Sequence, residues 1–418
     1  MRITMLTAGS RGDTQPFIAL GVALKKEGYT VRIAASESFA DFVKSHGLDF
    51  YPVRGDIAKL ASSDIARDAM NADNPIKFFR TFNNDTLKSL LLDTQQDFFN
   101  ASIGSDAIVY HPGAPIGYFI AQYFHIPSIL ATPFPMTPTK EYPALIFYDS
   151  IRLGKGFNYL THKIFETGFW LALGGPVKKF WKEKFGKAPD GFACPYSKQR
   201  TRRLPTIVSC SDYVFPKPQD WPEYVYNSGY WFLDEVNWQP SDALLDFLQK
   251  GKPPIYVGFG SIGDPALKEK TTELVVDALK LAGQRGILAT GWHGMSETEN
   301  SNGDLFILES APHAWLFPRM AAVVHHGGAG TTAAGFRAGV PSVIIPHTND
   351  QFAWGRRVFE LGVGSKPIPR KMLTAEQLST AIQLALSQEI KDAAKDLGTR
   401  IDSENGAERA GKIIINCL

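Results

Sequence analysis

The chain has only three cysteines in 418 residues, Cys194, Cys210 and Cys417. Their odd number and irregular spacing exclude a disulfide framework and a cysteine zinc site, so they read as reduced, structural thiols. Neither charge is in excess: 44 Lys and Arg against 42 Asp and Glu leave no global field to attract nucleic acid. No apolar run approaches the roughly twenty residues that span a bilayer. The opening Met1-Arg2-Ile3-Thr4-Met5-Leu6-Thr7 runs directly into a glycine-bearing loop, without the apolar stretch and cleavage site of a secretory signal. A cytoplasmic protein is therefore expected, and the sequons at Asn84 and Asn100 carry no weight without secretion. The sequence also lacks an Asp-x-Asp pair, the usual carrier of a divalent metal on a diphosphate, so neither metal nor resident cofactor is expected.

With 44% hydrophobic and 21% charged residues, the chain is globular, and its length favours two domains over one. Residues 3–7 read as a buried strand, Gly9 to Pro16 as a loop, Phe17 to Glu27 as a helix and Tyr29 to Ala34 as the next strand. The alternation continues with a helix near Ser38–Ser45 and strands at Leu48–Val53, Ala107–Tyr110 and Pro127–Leu130. Between Pro216 and Pro240 periodicity fades into a proline- and aromatic-rich stretch that reads as a linker. The same grammar then restarts: a strand at Pro254–Gly258, a glycine loop around Gly260-Ser261, a helix from Leu267 to Ala282, and strands at Gly286–Thr290, Leu305–Leu308, Ala321–Val324 and Ser342–Ile345. The expected fold is α/β, with two doubly wound Rossmann-like domains facing across a cleft. Residues 1–215 form the first domain, 216–240 the linker and 241–400 the second domain. Residues 401–418, with a helix at Ala407–Ile415, are expected to pack back towards the first. A monomer or weak dimer is expected.

The most specific stretch is Val323-Val324-His325-His326-Gly327-Gly328-Ala329-Gly330-Thr331-Thr332, an apolar strand meeting a glycine turn and a helix start. Glycines Gly328 and Gly330 let the backbone approach a diphosphate, and the amides of Thr331 and Thr332 with the helix dipole offset its charge. His326 and the threonine hydroxyls can add hydrogen bonds. The alternative is a tight helix entry capped by threonine, with His326 a satisfied core residue. Further on, Asp350 and Gln351 suit sugar hydroxyls, because a carboxylate accepts from two of them while an amide donates and accepts; Asp350 as a helix cap is the alternative. In the first loop Asp13 is the sole acid. It reads either as a general base whose proton affinity partial burial raises, or as a helix cap.

His-His-Gly-Gly-Ala-Gly-Thr-Thr at 325–332, Gly339-Val340-Pro341 and Asp350-Gln351 resemble the donor signature of inverting nucleotide-sugar glycosyltransferases with two Rossmann-like domains, the GT-B type. The resemblance implies that His326 and Thr331 contact the donor diphosphate and that Asp350 and Gln351 hold the sugar. Gly260-Ser261 and Ser10 stand in glycine loops where the family touches the donor. Plant members stack uracil on a tryptophan where this chain has Ser310-Ala311-Pro312-His313, so Ala311 and His313 stand at the base, with Trp292 or Trp315 as an aromatic surface unless they pack the core. Plant members also carry a histidine base in the first loop, whereas Gly9-Ser10-Arg11-Gly12-Asp13 resembles the sterol 3-beta-glucosyltransferases and the antibiotic glycosyltransferases. That resemblance makes Asp13 the base.

The sterol branch also resembles the chain at Phe134-Pro135-Met136-Thr137, Phe215-Pro216-Lys217-Pro218 and Val257-Gly258-Phe259-Gly260-Ser261. Without the long regulatory N-terminal extension of fungal members, the chain looks like the catalytic unit alone. It implies a metal-independent transfer of glucose from UDP-glucose to the hydroxyl of a sterol-like or other hydrophobic alcohol. Phe134, Met136, Tyr142 and Phe169 are the acceptor contacts drawn from an aromatic-rich lobe, whose residues equally suit core packing. Lys178 to Lys187, bases interleaved with aromatics, read as an amphipathic helix, either solvated or in peripheral contact with an anionic membrane. The alternatives are a tailoring transferase for a polyketide, flavonoid or peptide aglycone using a UDP- or dTDP-sugar, a non-catalytic nucleotide-sugar sensor, and a nucleotide-sugar epimerase.

Overall fold

The computed structural model describes residues 1–55, 85–149, 153–235, 238–259, 268–289, 303–347 and 350–418. They form two compact units: Met1–Leu233 with Glu404–Leu418, and Asp234–Ser403. The first unit holds a seven-stranded sheet of β1 (Arg2–Leu6), β2 (Thr30–Ser36), β3 (Asp49–Val53), β4 (Ala107–Tyr110), β5 (Ser128–Thr132), β6 (Thr206–Val208) and β7 (Val225–Asn227). The order is β3-β2-β1-β4-β5-β6-β7, with every neighbouring pair parallel. Strands β1, β4 and β5 are almost continuously apolar because helices cover both faces of a parallel sheet. The covering helices include α1 (Arg11–Lys26), α2 (Ala40–Ser45), α3 (Asp85–Ala101), α4 (Ile116–Phe124), α5 (Lys155–Phe185) and α6 (Pro195–Thr201).

Two features depart from the sequence reading. Helix α1 begins at Arg11, inside the stretch expected to be loop, with Ser10 as its N-cap. Asp13 at the third helical position accepts from the Ser10 amide and starts the helix ahead of Pro16, whose missing N–H costs only the bond to the Gly12 carbonyl. Strands β6 and β7 were not anticipated, and β7 lies within the expected linker. At three residues each, they are too short for any period to show.

The second unit has a five-stranded parallel sheet of β8 (Ile255–Gly258), β9 (Gly286–Ala289), β10 (Leu305–Leu308), β11 (Ala322–His325) and β12 (Ser342–Ile344), ordered β10-β9-β8-β11-β12. Helices α7 (Asp242–Gln249), α8 (Lys268–Ala282), α9 (His313–Leu316), α10 (Ala329–Ala338), α11 (Asp350–Glu360), α12 (Ala375–Ala385) and α13 (Gln388–Asp402) accompany it. The closing helix, α14 (Gly406–Ile415), belongs to the first unit and sets Ala407, Ala410 and Ile414 into the core around Phe17, Leu20 and Leu24.

Arg337, at the end of α10, ties together both ends of the second unit. Its guanidinium donates twice to Asp234, at 2.6 and 3.0 Å, and once to Asp402 at 2.9 Å. Because these carboxylates are more than half exposed, solvent screening limits the loss on Arg337→Ala to about 1 kcal/mol. Calorimetry of that variant is expected to show a thermal midpoint lower by roughly 2–4 °C.

Each sheet winds outward in both directions from its first strand, so each has a switch point where neighbouring connections leave to opposite sides. At such a point the strand carboxyl ends open a crevice for ligands. In the first unit it lies between β1 and β4, and in the second between β8 and β11. Among the described residues, no helix is long and apolar enough to cross a membrane.

Candidate active site

At the first switch point the loop leaving β1 and the loop leaving β4 bring Asp13 and His111 together. The Asp13 carboxylate accepts from the Ser10 amide at 2.7 Å and from Ser10 Oγ at 3.1 Å, both through Oδ2. His111 Nε2 lies 3.5 Å from Oδ1, close enough for an electrostatic contact but short of a hydrogen bond. Gly9 creates the space: its φ is +142°, and a Cβ there would stand 2.1 Å from Asp13 Oδ2. His111 is buried, and its Nδ1 accepts the Gly113 amide at 3.0 Å. That bond puts the ring proton on Nε2, facing the carboxylate. Phe17 meets the imidazole edge-on with centroids 5.8 Å apart.

Burial alone would push the Asp13 proton affinity up, as the sequence reading expected. The structure corrects this: the His111 ring and the two Ser10 donors outweigh burial and hold the carboxyl below its ordinary value of 3.8. Asp13 is an anion at neutral pH, fixed in place by the two Ser10 hydrogen bonds with the His111 ring beside it. Both Ser10 bonds use Oδ2, so capping α1 leaves Oδ1 without a hydrogen bond among the described residues, with His111 beside it. His111 lies almost a hundred residues from the first loop, so the sequence offered no cue to it beyond its position directly after a predicted strand.

At the second switch point β11 ends in His325, and the chain turns through Gly327 and Gly328 into α10. His325 is buried, and its Nδ1 accepts the Gly327 amide at 3.1 Å. His326 is 9% exposed, and its Nδ1 has no hydrogen-bond partner among the described residues. Burial lowers its pKa to about 4, so the ring is neutral at physiological pH. Gly328 leaves room for it, since a Cβ there would sit 2.5 Å from His326 Nε2. Gly328 is the N-cap of α10, and the first intrahelical bond runs from the Thr332 amide to the Gly328 carbonyl at 2.9 Å.

The amides that lack an intrahelical acceptor are therefore those of Ala329, Gly330 and Thr331, one residue earlier than expected. The Thr332 side chain is also corrected: it is buried, and its hydroxyl donates to Gly328 O at 2.9 Å. Thr331 remains half-buried and Gly330 exposed at the helix mouth.

Asp350 opens α11 and accepts from Trp354 Nε1 at 3.3 Å, one turn on. Gln351 is buried, and its Oε1 accepts the His347 amide at 2.8 Å, which fixes the loop after β12. His347 in turn lies 6.3 Å from the His326 ring and 5.7 Å from Phe259, centroid to centroid. Gln351 thus supports the wall beside His326. Of the expected base contacts, His313 stacks on Phe317 at 4.3 Å and meets Tyr256 edge-on, and Ala311 packs against the same cluster. Trp292 and Ser261 lie outside the described residues.

In the acceptor lobe the four expected contacts separate. Met136 and Tyr142 are core residues, Tyr142 packing on Phe215 and His162, so neither side chain offers an open surface. Phe134 and Phe169 are half-buried and joined through Phe165, which stacks on Phe169 at 5.5 Å and meets Phe134 edge-on at 6.3 Å. Phe165, one of the lobe's aromatic residues, makes this a continuous aromatic wall.

Comparison with known proteins places both units. Residues 3–143 match the glycosyltransferase family 28 N-terminal domain, and residues 287–414 match the erythromycin biosynthesis protein CIII-like C-terminal domain. A sterol 3-beta-glucosyltransferase of Arabidopsis thaliana is 34% identical over 421 residues, covering 98% of this chain and 67% of the relative. One from Candida albicans is 37% identical over 421 residues, covering 97% of this chain and 27% of the relative. The chain thus spans about two thirds of the Arabidopsis relatives and under a third of the fungal ones. Among solved structures, the glycotransferase of kitacinnamycin superposes with a TM-score of 0.72 at 18% identity, covering 100% of this chain and 99% of that one. The glycosyltransferase SnogD from Streptomyces nogalater gives 0.66 at 18% identity, with 100% and 99% covered. These neighbours share the GT-B fold of two parallel-sheet α/β domains. From the matches along its length, the chain belongs to the nucleotide-sugar glycosyltransferase family that includes the sterol 3-beta-glucosyltransferases.

Proposed function

We propose that the protein transfers glucose from UDP-glucose to the hydroxyl of a sterol or similar flat, apolar alcohol, with inversion and without a metal. Asp13, ionised and positioned at the first switch point, is the observation that carries the reading; the sterol relatives supply the acceptor class. The acceptor oxygen attacks the anomeric carbon while its proton passes to the Asp13 carboxylate. The bond from that carbon to the diphosphate oxygen breaks, and UDP leaves as the anion. Because Asp13 is a weak base, its proton transfer comes late, when the attacking oxygen has become acidic by bonding to carbon. The unpaired amides of Ala329, Gly330 and Thr331, with His326 as a neutral donor, stabilise the departing charge. Asp350 orients the sugar, and Gln351 supports it through its side-chain N–H groups. Phe134, Phe165 and Phe169 form the apolar surface for the ring system.

The reading predicts a hexose added to a sterol when UDP-glucose is supplied, with a rate unchanged by EDTA. Mass spectrometry across UDP- and dTDP-sugars and a sterol, flavonoid and macrolide panel checks it. Preference for a dTDP-sugar and a macrolide would move the protein to the tailoring class, and UDP binding without any transfer would make it a sensor. The same preparation, run by gel filtration, is expected to elute as a monomer or weak dimer.

His111 acts here as a positioning residue. Its removal deletes a principal influence that lowers the Asp13 proton affinity, so His111→Ala should leave burial dominant and move the acid limb of kcat/KM to higher pH. A loss of about tenfold in kcat is expected with it. An unchanged acid limb would reduce His111 to a packing residue.

A further inference from the structure

Helix α5 spends apolar residues on both of its sides. Its inner face carries Leu173, Val177, Phe180 and Trp181 into the core. Its outer face presents Leu160, Ile164 and Leu171, exposed by 52%, 46% and 76%, and the chain just before it adds Leu153 at 66%. At 3.6 residues per turn, positions 160, 164 and 171 fall within about 40° of one another. The same line continues through Lys178 and Lys182, both exposed. To one side Lys179 pairs with Glu183, the single exposed acid of the helix, at 3.9 Å, while Lys184 turns over the Phe99 ring; Glu166 is buried and paired with Arg200 and Lys163. Three large aliphatic side chains in water on one line of the helix form a stripe rather than scattered singletons.

We infer that this outer face of α5 is a docking surface for an anionic lipid bilayer, with the aliphatic residues entering the acyl boundary and the lysines meeting the headgroups. The chemistry selects that occupant. Protein interfaces concentrate binding in Trp, Tyr and Arg, whereas this stripe is built from Leu and Ile and its cations are lysines. Lysines beside an aliphatic stripe complement the negative surface of a membrane leaflet, where each contributes to binding separately. The helix lies on the surface and does not span it, in keeping with the absence of a membrane-crossing helix among the described residues. The inference deepens the proposed reaction, because a water-insoluble acceptor is found in such a surface, but the surface itself stands on α5 alone.

Sedimentation of the full chain with phosphatidylcholine vesicles, with and without roughly one third phosphatidylserine, tests it. The wild type should pellet with the anionic vesicles and release as salt rises. The variant Leu160→Glu, Ile164→Glu, Leu171→Glu and the variant Lys178→Glu, Lys182→Glu should each bind at least about tenfold more weakly. Both should keep the wild-type circular dichroism spectrum and thermal midpoint, and both should retain UDP binding. Wild type left in the supernatant, or variants that pellet as well as wild type, would overturn the inference. So would a concentration-dependent dimer that the glutamate variant abolishes, which would make the stripe a contact between copies. Transfer to a detergent-dispersed sterol, measured separately, reports on the proposed reaction and is independent of the vesicle result.

Discussion

Replacing Asp13 by Asn is expected to lower kcat about a thousandfold while leaving UDP affinity within about threefold of wild type. Asn has nearly the shape of Asp and can still accept from Ser10, so the helix start is preserved, but it cannot take a proton. The effect therefore isolates the proton transfer from the fold. The low proton affinity of Asp13 adds a second expectation. Its folded value is depressed below 3.8, so its stabilising contribution is present above that value and is lost as pH falls through the lower, folded one. The wild-type carboxylate is fully ionised across neutral pH, and no acid limb from Asp13 should appear above about pH 4. A rate loss limited to a few fold would show that Asp13 serves α1 as a cap and that another group takes the proton.

His326→Ala is expected to weaken UDP binding by about ten- to a hundredfold, the range for losing one hydrogen bond to a charged group. His326→Gln, which restores a donor of similar reach, should recover part of it. A pKa of about 4 sets the pH behaviour: the ring is neutral above about pH 5, so its own titration should leave UDP affinity flat from there to pH 8. Stability follows the same group. The unfolded imidazole takes up its proton near 6.5 and the folded one only near 4, so stability is lost as pH falls between those values. Titration calorimetry with UDP decides the role; unaltered affinity in His326→Ala would identify His326 as a packing residue beside Gly328.

Much of the fold was legible because each half is a doubly wound sheet. A strand such as Val323-Val324 running into Gly327-Gly328 and then a helix announces both its period and its turn. Strands β6 and β7 were missed because three residues among prolines and aromatics display no alternation. Helix α1 was read as starting too late because Pro16 outweighed the pairing of Ser10 with Asp13, a capping arrangement whose strength depends on hydrogen bonds that a sequence does not display.

In the candidate site, the residues carried by glycine turns could be read, and their partners could not. His111 joins Asp13 only because β1 and β4 are neighbours, a fact of strand order. The sign of the Asp13 shift failed for the same reason: burial was foreseeable, the imidazole and the Ser10 donors were not. Thr332 shows the local limit, since one residue of helix phase decides whether a threonine faces a ligand or bonds back to its own helix. Met136 and Tyr142 show the other, because an aromatic-rich lobe does not reveal which members are open until the core is packed.

The most direct test of the central claim is the proton NMR spectrum of the anomeric centre in the product that wild-type protein makes from UDP-glucose and a sterol. Because the donor carries the α configuration, the account predicts a β-glucoside with its large diaxial coupling. An α-glucoside, with the small coupling of a retained centre, would contradict a single displacement assisted by Asp13.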